Sequence, residues 1–331
     1  EYYDGGKGTV WEHIKKSIEF TMANLGSHGF PLMLSSDWND MLYKVCREGK
    51  GESIWTSMQF GTVLRMIAEI ADLKGEDGSK YREIYEAQKK LVNEVAWDGE
   101  WYRRCITDNG TFVGSKEEPQ AKIWLNTQSW SVISGMGDKG EMAMDSVKKY
   151  LDTELGIKKI HPSMKDYPSK EDPLTYYNKG CGENGSVFCH ANTWAIIAEC
   201  MLGRPENAWK YYHQLLPMIA QAKAGEWRYK AEPYAYASNI FGPESDKFGL
   251  ANVSWLTGTA AWMYIAATQY ILGVKAKWDG LEIAPCMPKD WKDVKITRKF
   301  RGCTYNITIK NPENKVFVPH VEGRTTYDVE V

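Results

Sequence analysis

Four stretches of this 331-residue chain set acids, a histidine or hydroxyls beside glycine and tryptophan. Residues 35–40 read SSDWND, so two carboxylates flank a tryptophan and an amide. Such a run makes an Asx turn or a helix cap with ease. It could also deliver a proton. Cleaving a glycosidic bond requires protonation of the departing oxygen, because a free alkoxide leaves poorly. A carboxyl beside an indole, on which a pyranose face can stack, suits that task.

In GCGENGSVFCHANTW, residues 180–194, Glu183 precedes His190 by one Gly-rich turn. The plain reading is a loop entering a helix. A histidine near a helix start also meets free N–H groups and a dipole end that favours anions. In NVSWLTGTAAWMYIAATQYILG, residues 252–273, Thr257 reads as an N-cap followed by Gly258 and Thr259. The Thr257 hydroxyl and the N–H groups of Gly258 and Thr259 could converge on one phosphate, with Gly258 admitting an oxyanion close to the backbone. No lysine follows as a Walker loop requires. In VAWDGEWYRR, residues 95–104, Trp97, Trp101, Arg103 and Arg104 read as loop anchors rather than as cleft lining.

The elements that must position these residues read as mainly helical over 9–273. Apolar spacing, a glycine after the last turn or a proline in the first turn mark helices at 54–74, 79–96, 190–202, from Pro205 onward and at 257–272. Val63, Ile67 and Ile70 define the inner stripe of the first. Ile84, Ala87, Leu91 and Val95 define that of the second. Helices at 9–24, 123–135 and 139–153 bring the count to about eight. The tail alternates apolar and polar residues in LEIAP, DVKITRKF and TYNITIKN, a strand pattern beginning near residue 278. Long loops at 26–53, 98–121, 157–189 and 222–256 hold the glycines and polar aromatics. Loops of that length usually carry function.

Composition narrows the classes. A net charge of −2 without a basic stripe argues against nucleic acid. No apolar window is long enough for a membrane span. Fourteen Trp and 19 Tyr suit either a packed helical core or a sugar cleft. Seven cysteines without a Cys-x-x-Cys read as free thiols in a reducing compartment, hence a cytoplasmic protein. Six scattered histidines without a His-x-x-x-His give no expectation of a zinc or other metal site. The chain begins without methionine and without a signal-peptide pattern, which reads as a piece of something longer.

Taken in order, DWND with GKGESIW, WDGEWYRR, GSKE, ENGSVFCHANTW, EPYAYASNIFGP, SWLTGTAAW and LEIAPCMPKDW resemble the blocks of glycoside hydrolase family 94 along nearly the whole chain. Those enzymes are the cellobiose, cellodextrin and chitobiose phosphorylases. The resemblance implies an (α/α)6 barrel over residues 1–275, lacking about its first four helices, and a small β-rich element over 276–331. It implies reversible, inverting phosphorolysis of a β-linked glucosyl disaccharide, cellobiose by default, to an α-sugar 1-phosphate and a free sugar.

Carried over by motif, Asp40 is the general acid and Trp38 the sugar contact. Glu183 lies near sugar and phosphate, and His190, Thr257 and Gly258 are phosphate ligands. Gly182 stands where several members carry lysine, and Ser238 where several carry glutamine, which leaves substrate choice open. The expected partners are a disaccharide and inorganic phosphate as co-substrate, with no cofactor. A homodimer or the missing N-terminal part of the enzyme is the expected protein partner. Two readings stay beside this one. A hydrolase would use water and a second carboxylate, with Glu183 the best candidate. An inactive carbohydrate-binding fragment would not turn over alone.

Overall fold

A computed structural model describes residues 6–164 and 177–331, so part of the 157–189 loop lies outside the described residues. Helices form where an apolar stripe meets a start or stop signal. Helix α1 (Val10–Ala23) opens with a capping box, in which Thr9 Oγ1 accepts the Glu12 N–H and the Glu12 carboxylate accepts the Thr9 N–H at 2.6 Å. Helix α2 (Ile54–Leu73) is capped by Ser53, whose hydroxyl accepts the Thr56 N–H at 3.0 Å. Helix α3 (Ser79–Leu91) runs on into a wider π turn at Val92–Ala96. Helices α4 (Leu125–Ile133), α5 (Gly140–Tyr150) and α6 (Cys189–Met201) follow. Gly203, at φ 69°, closes α6: its N–H donates to Cys200 at 3.1 Å, and the Arg204 N–H donates to Glu199 at 2.9 Å.

The helix beginning at Pro205 is shorter than its sequence suggests. Leu216 turns extended (ψ 124°) ahead of Pro217, whose ring disfavours a helical residue before it. Two helices result, α7 (Pro205–Leu215) and α8 (Pro217–Ala224). A short α9 (Glu226–Tyr229) falls inside the 222–256 loop, and α10 (Thr259–Ile265) continues as a π turn at Ala266–Ile271. The described residues thus hold ten α-helices rather than eight.

Two inner stripes also differ from expectation. In α2, Leu64, Ile67, Ala68 and Ala71 are buried while Val63 is 40% exposed. In α3 and its π turn, Tyr81, Gln88, Val92 and Ala96 are buried and Ala87 is exposed. In α10, the cap is Gly258 rather than Thr257; Thr257 Oγ1 accepts the Thr259 N–H one residue early, at 3.2 Å.

Helix α6 is the axis of the body, buried from Ala191 through Glu199 and packed against α4, α7 and α10. A separate apolar cluster, with Met41, Leu42 and Val45 against Trp124 and Ile160, underlies the segment after residue 39. From Val274 onward the chain is β-structured. Val274–Ala276, Gly280–Ile283 and Val316–Pro319 form one antiparallel sheet. In the other, Cys303–Ile309 pairs antiparallel with Val294–Phe300 and parallel with Thr326–Glu330. Cys303, Tyr305, Ile307 and Ile309 face inward at period two. Tyr305 stacks on Tyr327 at 4.4 Å.

Because Ile196 of α6 is wholly buried at this axis, Ile196→Ala is expected to cost about 2–5 kcal/mol, read as a lower urea midpoint.

Candidate active site

Three elements bring the site together. Val187–Phe188, Ala237–Ile240 and Ala251–Ser254 form a small antiparallel sheet in which Phe188 faces Asn239 and Ala237 faces Ser254. The strand ending at Phe188 and the strand ending at Ser254 therefore emerge at the same end. His190 follows the first, and Thr257 and Gly258 follow the second. A β-carbon at Gly258 would lie 2.8 Å from His190 Cε1, so the missing side chain is what admits the imidazole. The Thr257 and Thr259 hydroxyls lie 2.6 Å apart.

Against this end lies an aromatic cluster. Trp38 packs edge-on to Phe188 at 5.4 Å and to His190 at 5.2 Å, and lies 4.7 Å from Trp194. Trp55 stacks on Trp194 at 5.8 Å. Burial, and then the nearby Lys159 charge, push the His190 imidazole down to about 4. At neutral pH it is uncharged and offers an anion one N–H rather than a full charge. Its Nε2, like Trp55 Nε1 and Trp194 Nε1, is buried without a hydrogen-bond partner among the described residues.

The SSDWND segment divides by environment. Asp37 accepts two contacts from Arg104 Nη2 (2.7 and 2.6 Å), the Ser53 hydroxyl at 2.7 Å and the Asn39 N–H at 2.8 Å. Both partners of this ion pair are inside: Arg104 is 0% and Asp37 4% exposed. The Arg104 guanidinium lies between the Trp55 and Trp124 rings, 5.6 Å from each. Asn39 is buried, its Oδ1 accepting from Arg104 at 2.8 Å and from Asn126 at 3.2 Å. Asp40 is exposed and starts a 3-10 helix, Asp40–Cys46. One aspartate thus fixes the turn and the other faces outward.

Glu183 is spoken for by the protein itself. Its Oε1 accepts from Lys159 Nζ at 2.6 Å and from Asn39 Nδ2 at 3.3 Å, and its Oε2 accepts the Met41 N–H at 2.9 Å. Gly182 beside it has φ 54°, and a β-carbon there would lie 2.6 Å from Tyr177 Cδ1. A lysine at 182 has no room, and Lys159 supplies an ammonium to Glu183 from another segment.

Trp38, His190, Thr257 and Gly258 therefore lie together, and Glu183 holds the two residues that flank Asp40. Of the residues that tie the site together, Asn39 lies in SSDWND and Arg104 in WDGEWYRR, while Lys159 and Asn126 lie outside the four stretches. The doubled lysine in GIKKI was the available hint, since it interrupts an apolar run that must be buried.

The mainly helical fold has a counterpart among solved structures. A GH78 family rhamnosidase of Bacillus sp. GL1 superposes with a TM-score of 0.57 over 97% of this chain and 31% of its own, at 16% identity, a likeness of fold alone. Residues 1–273 match the Glycosyl hydrolase 94 superfamily, catalytic domain, and the chain belongs to that family. Among similar proteins, it is 38% identical to solabiose phosphorylase of Paenibacillus borealis, over 94% of this chain and 41% of that one. It is 36% identical to N,N'-diacetylchitobiose phosphorylase of Vibrio proteolyticus, over 95% and 39%. It is 28% identical to cellobionic acid phosphorylase of Neurospora crassa, over 99% and 44%. The chain spans about two fifths of the length of these relatives.

Two outcomes follow from the buried charges. Arg104→Met leaves Asp37 buried and unpaired and is expected to cost about 3–5 kcal/mol, while adding Asp37→Leu recovers part of that loss in a double-mutant denaturation cycle. His190 stays neutral in the fold down to about 4, against an ordinary 6.5. The unfolded chain therefore takes up a proton in that window that the folded chain refuses. The stability this neutral group supports is present above the window and lost as pH falls through it. His190→Asn is expected to flatten the pH–stability curve there.

Proposed function

We propose that this chain is the catalytic part of an inverting disaccharide phosphorylase with a β-linked glucosyl substrate. Cellobiose is the default, and cellodextrin, laminaribiose, cellobionic acid and chitobiose are substrates to test. Its helix pairs are read as belonging to an (α/α)6 barrel. Asp40 gives its proton to the departing glycosidic oxygen as the bond to the anomeric carbon breaks. A phosphate oxygen forms the new bond from the opposite face. The products are an α-sugar 1-phosphate and a free sugar, and Asp40 is left as the carboxylate. Trp38 supplies the face for the sugar at the cleaved bond. His190, Thr257 and Gly258 hold the phosphate through N–H groups and a hydroxyl.

The observation that carries this reading is the division of labour among the carboxylates. Asp40 is exposed two residues after Trp38, whose ring packs on His190, whereas Asp37 and Glu183 are each closed around a buried cation. An inverting hydrolase needs a second carboxylate as base about 6.5–9.5 Å from the acid, to activate water. Glu183, the candidate for that part, has both oxygens taken by protein donors. Phosphate is already an anionic nucleophile and needs no such base. The names of the relatives, phosphorylases of three disaccharides, support the same choice.

The test incubates the chain with a panel of β-linked disaccharides, with and without phosphate, and follows sugar 1-phosphate. Cleavage is expected only with phosphate; cleavage indifferent to it would overturn the reading in favour of hydrolysis. Asp40→Asn is expected to lower kcat by about 10²–10⁴-fold with phosphate affinity retained, measured by steady-state kinetics and calorimetry.

A further inference from the structure

We infer that Lys159 is a positioning residue for the acid step: its ammonium holds Glu183, and Glu183 holds the peptide that presents Asp40. This rests on the reading of Asp40 as proton donor.

The chain of contacts is short. Lys159 is completely buried, with Nζ 2.6 Å from Glu183 Oε1. The ammonium lies 4.0 Å from the Phe188 ring centre and 4.6 Å from that of Trp38. Removing an ammonium from water costs several kcal/mol, so its place here depends on the carboxylate and the two aromatic faces. Its backbone is fixed on both sides: the Lys159 N–H donates to Ser186 at 2.8 Å, and its carbonyl accepts the Leu125 N–H at 2.9 Å. The cation is thus mounted on the frame of the body.

Glu183 carries that position to the acid. One carboxylate reaches both neighbours of Asp40, the Asn39 amide at 3.3 Å and the Met41 N–H at 2.9 Å. Asp40 itself projects outward from the peptide between them. Swinging Glu183 away would release the Met41 N–H and remove one of the ties on Asn39, whose others run to Arg104, Asn126 and Asp37. The same ammonium lies over Trp38, whose ring is also held by Phe188, His190 and Trp194 and so keeps its place without the charge. Misplacing a reacting group by about 1 Å can cost 10²-fold in rate, which is the scale of effect that such a clamp controls.

The role has a signature that general damage lacks. A free-sugar leaving group must be protonated, whereas a dinitrophenyl leaving group departs as a stable anion. Lys159→Met keeps the stem and removes the charge. It is expected to lower kcat on the disaccharide by about 10²-fold, with KM for phosphate unchanged and phosphorolysis of the dinitrophenyl β-glycoside of the same sugar retained. Full disaccharide turnover by Lys159→Met, or an equal loss on both substrates, overturns the proposal.

Glu183→Gln, which keeps the shape and weakens the link to Lys159, is the second variant should Lys159→Met fail to fold. It is expected to show the same dependence on leaving group, to a smaller degree; equal effects on both substrates count against the clamp. Asp40→Asn serves as the control. If that variant cleaves the disaccharide at the wild-type rate, the parent reading fails. If it is inactive while both clamp variants are normal, only the present inference fails.

Discussion

Two cations without access to water, Arg104 and Lys159, are the constraint on which this site depends. Each must meet a carboxylate, because the cost of an unpaired interior charge exceeds anything packing returns. The carboxylates within reach belong to two different segments, Asp37 before Asp40 and Glu183 far after it. Asn39 bridges the two pairs, with its Oδ1 toward Arg104 and its Nδ2 toward Glu183. The loop around Asp40 is thereby fixed from both sides by electrostatics rather than by regular secondary structure. The arrangement leaves Asp40 exposed to solvent.

The aromatic residues do a second job beside packing. Trp55, Trp124, Trp38 and Phe188 present ring faces to the two cations and so make the interior tolerable for charge. Trp38 and Trp194 also enclose the imidazole of His190. That enclosure, with Lys159 close by, keeps the ring neutral and leaves its N–H as a directional donor. Charge, ring and hydrogen bond are set by a handful of neighbours rather than by a long-range field.

Much of the helical body was legible because helix signals are local. Thr9 with Glu12, Ser53, Pro205 and Gly203 mark their ends within a few residues of sequence. The misreadings have local causes too. Pro217 sits inside an apolar periodicity that continues past it, and in α2 and α3 the buried stripe runs one residue beside the expected one, through Leu64 and Gln88. The candidate site was legible only in part. Asp40, His190 and Thr257-Gly258 could be picked out by side-chain chemistry, and the structure brings His190 and Gly258 together against Trp38. Their supports could not, because Arg104 meets Asp37 across 67 residues and Asn39 meets Glu183 across 144. A pairing at that separation leaves no periodicity to read. Arg104 looked like a loop anchor, and Lys159 lies outside every motif that drew attention.

The same separations bear on how this family can diverge. The segment around Asp40 is not a cassette. Exchanging residues 35–53 with a homologue would carry Asp37 and Asn39 away from the Arg104, Asn126 and Glu183 to which they are fitted. A replacement segment fits only where it keeps an acid at 37 and an amide at 39. Drift must proceed by paired substitutions at distant positions. The glycine at 182 with the lysine at 159 has the form of one such exchange, in which a cation is delivered to the same carboxylate from a different part of the chain.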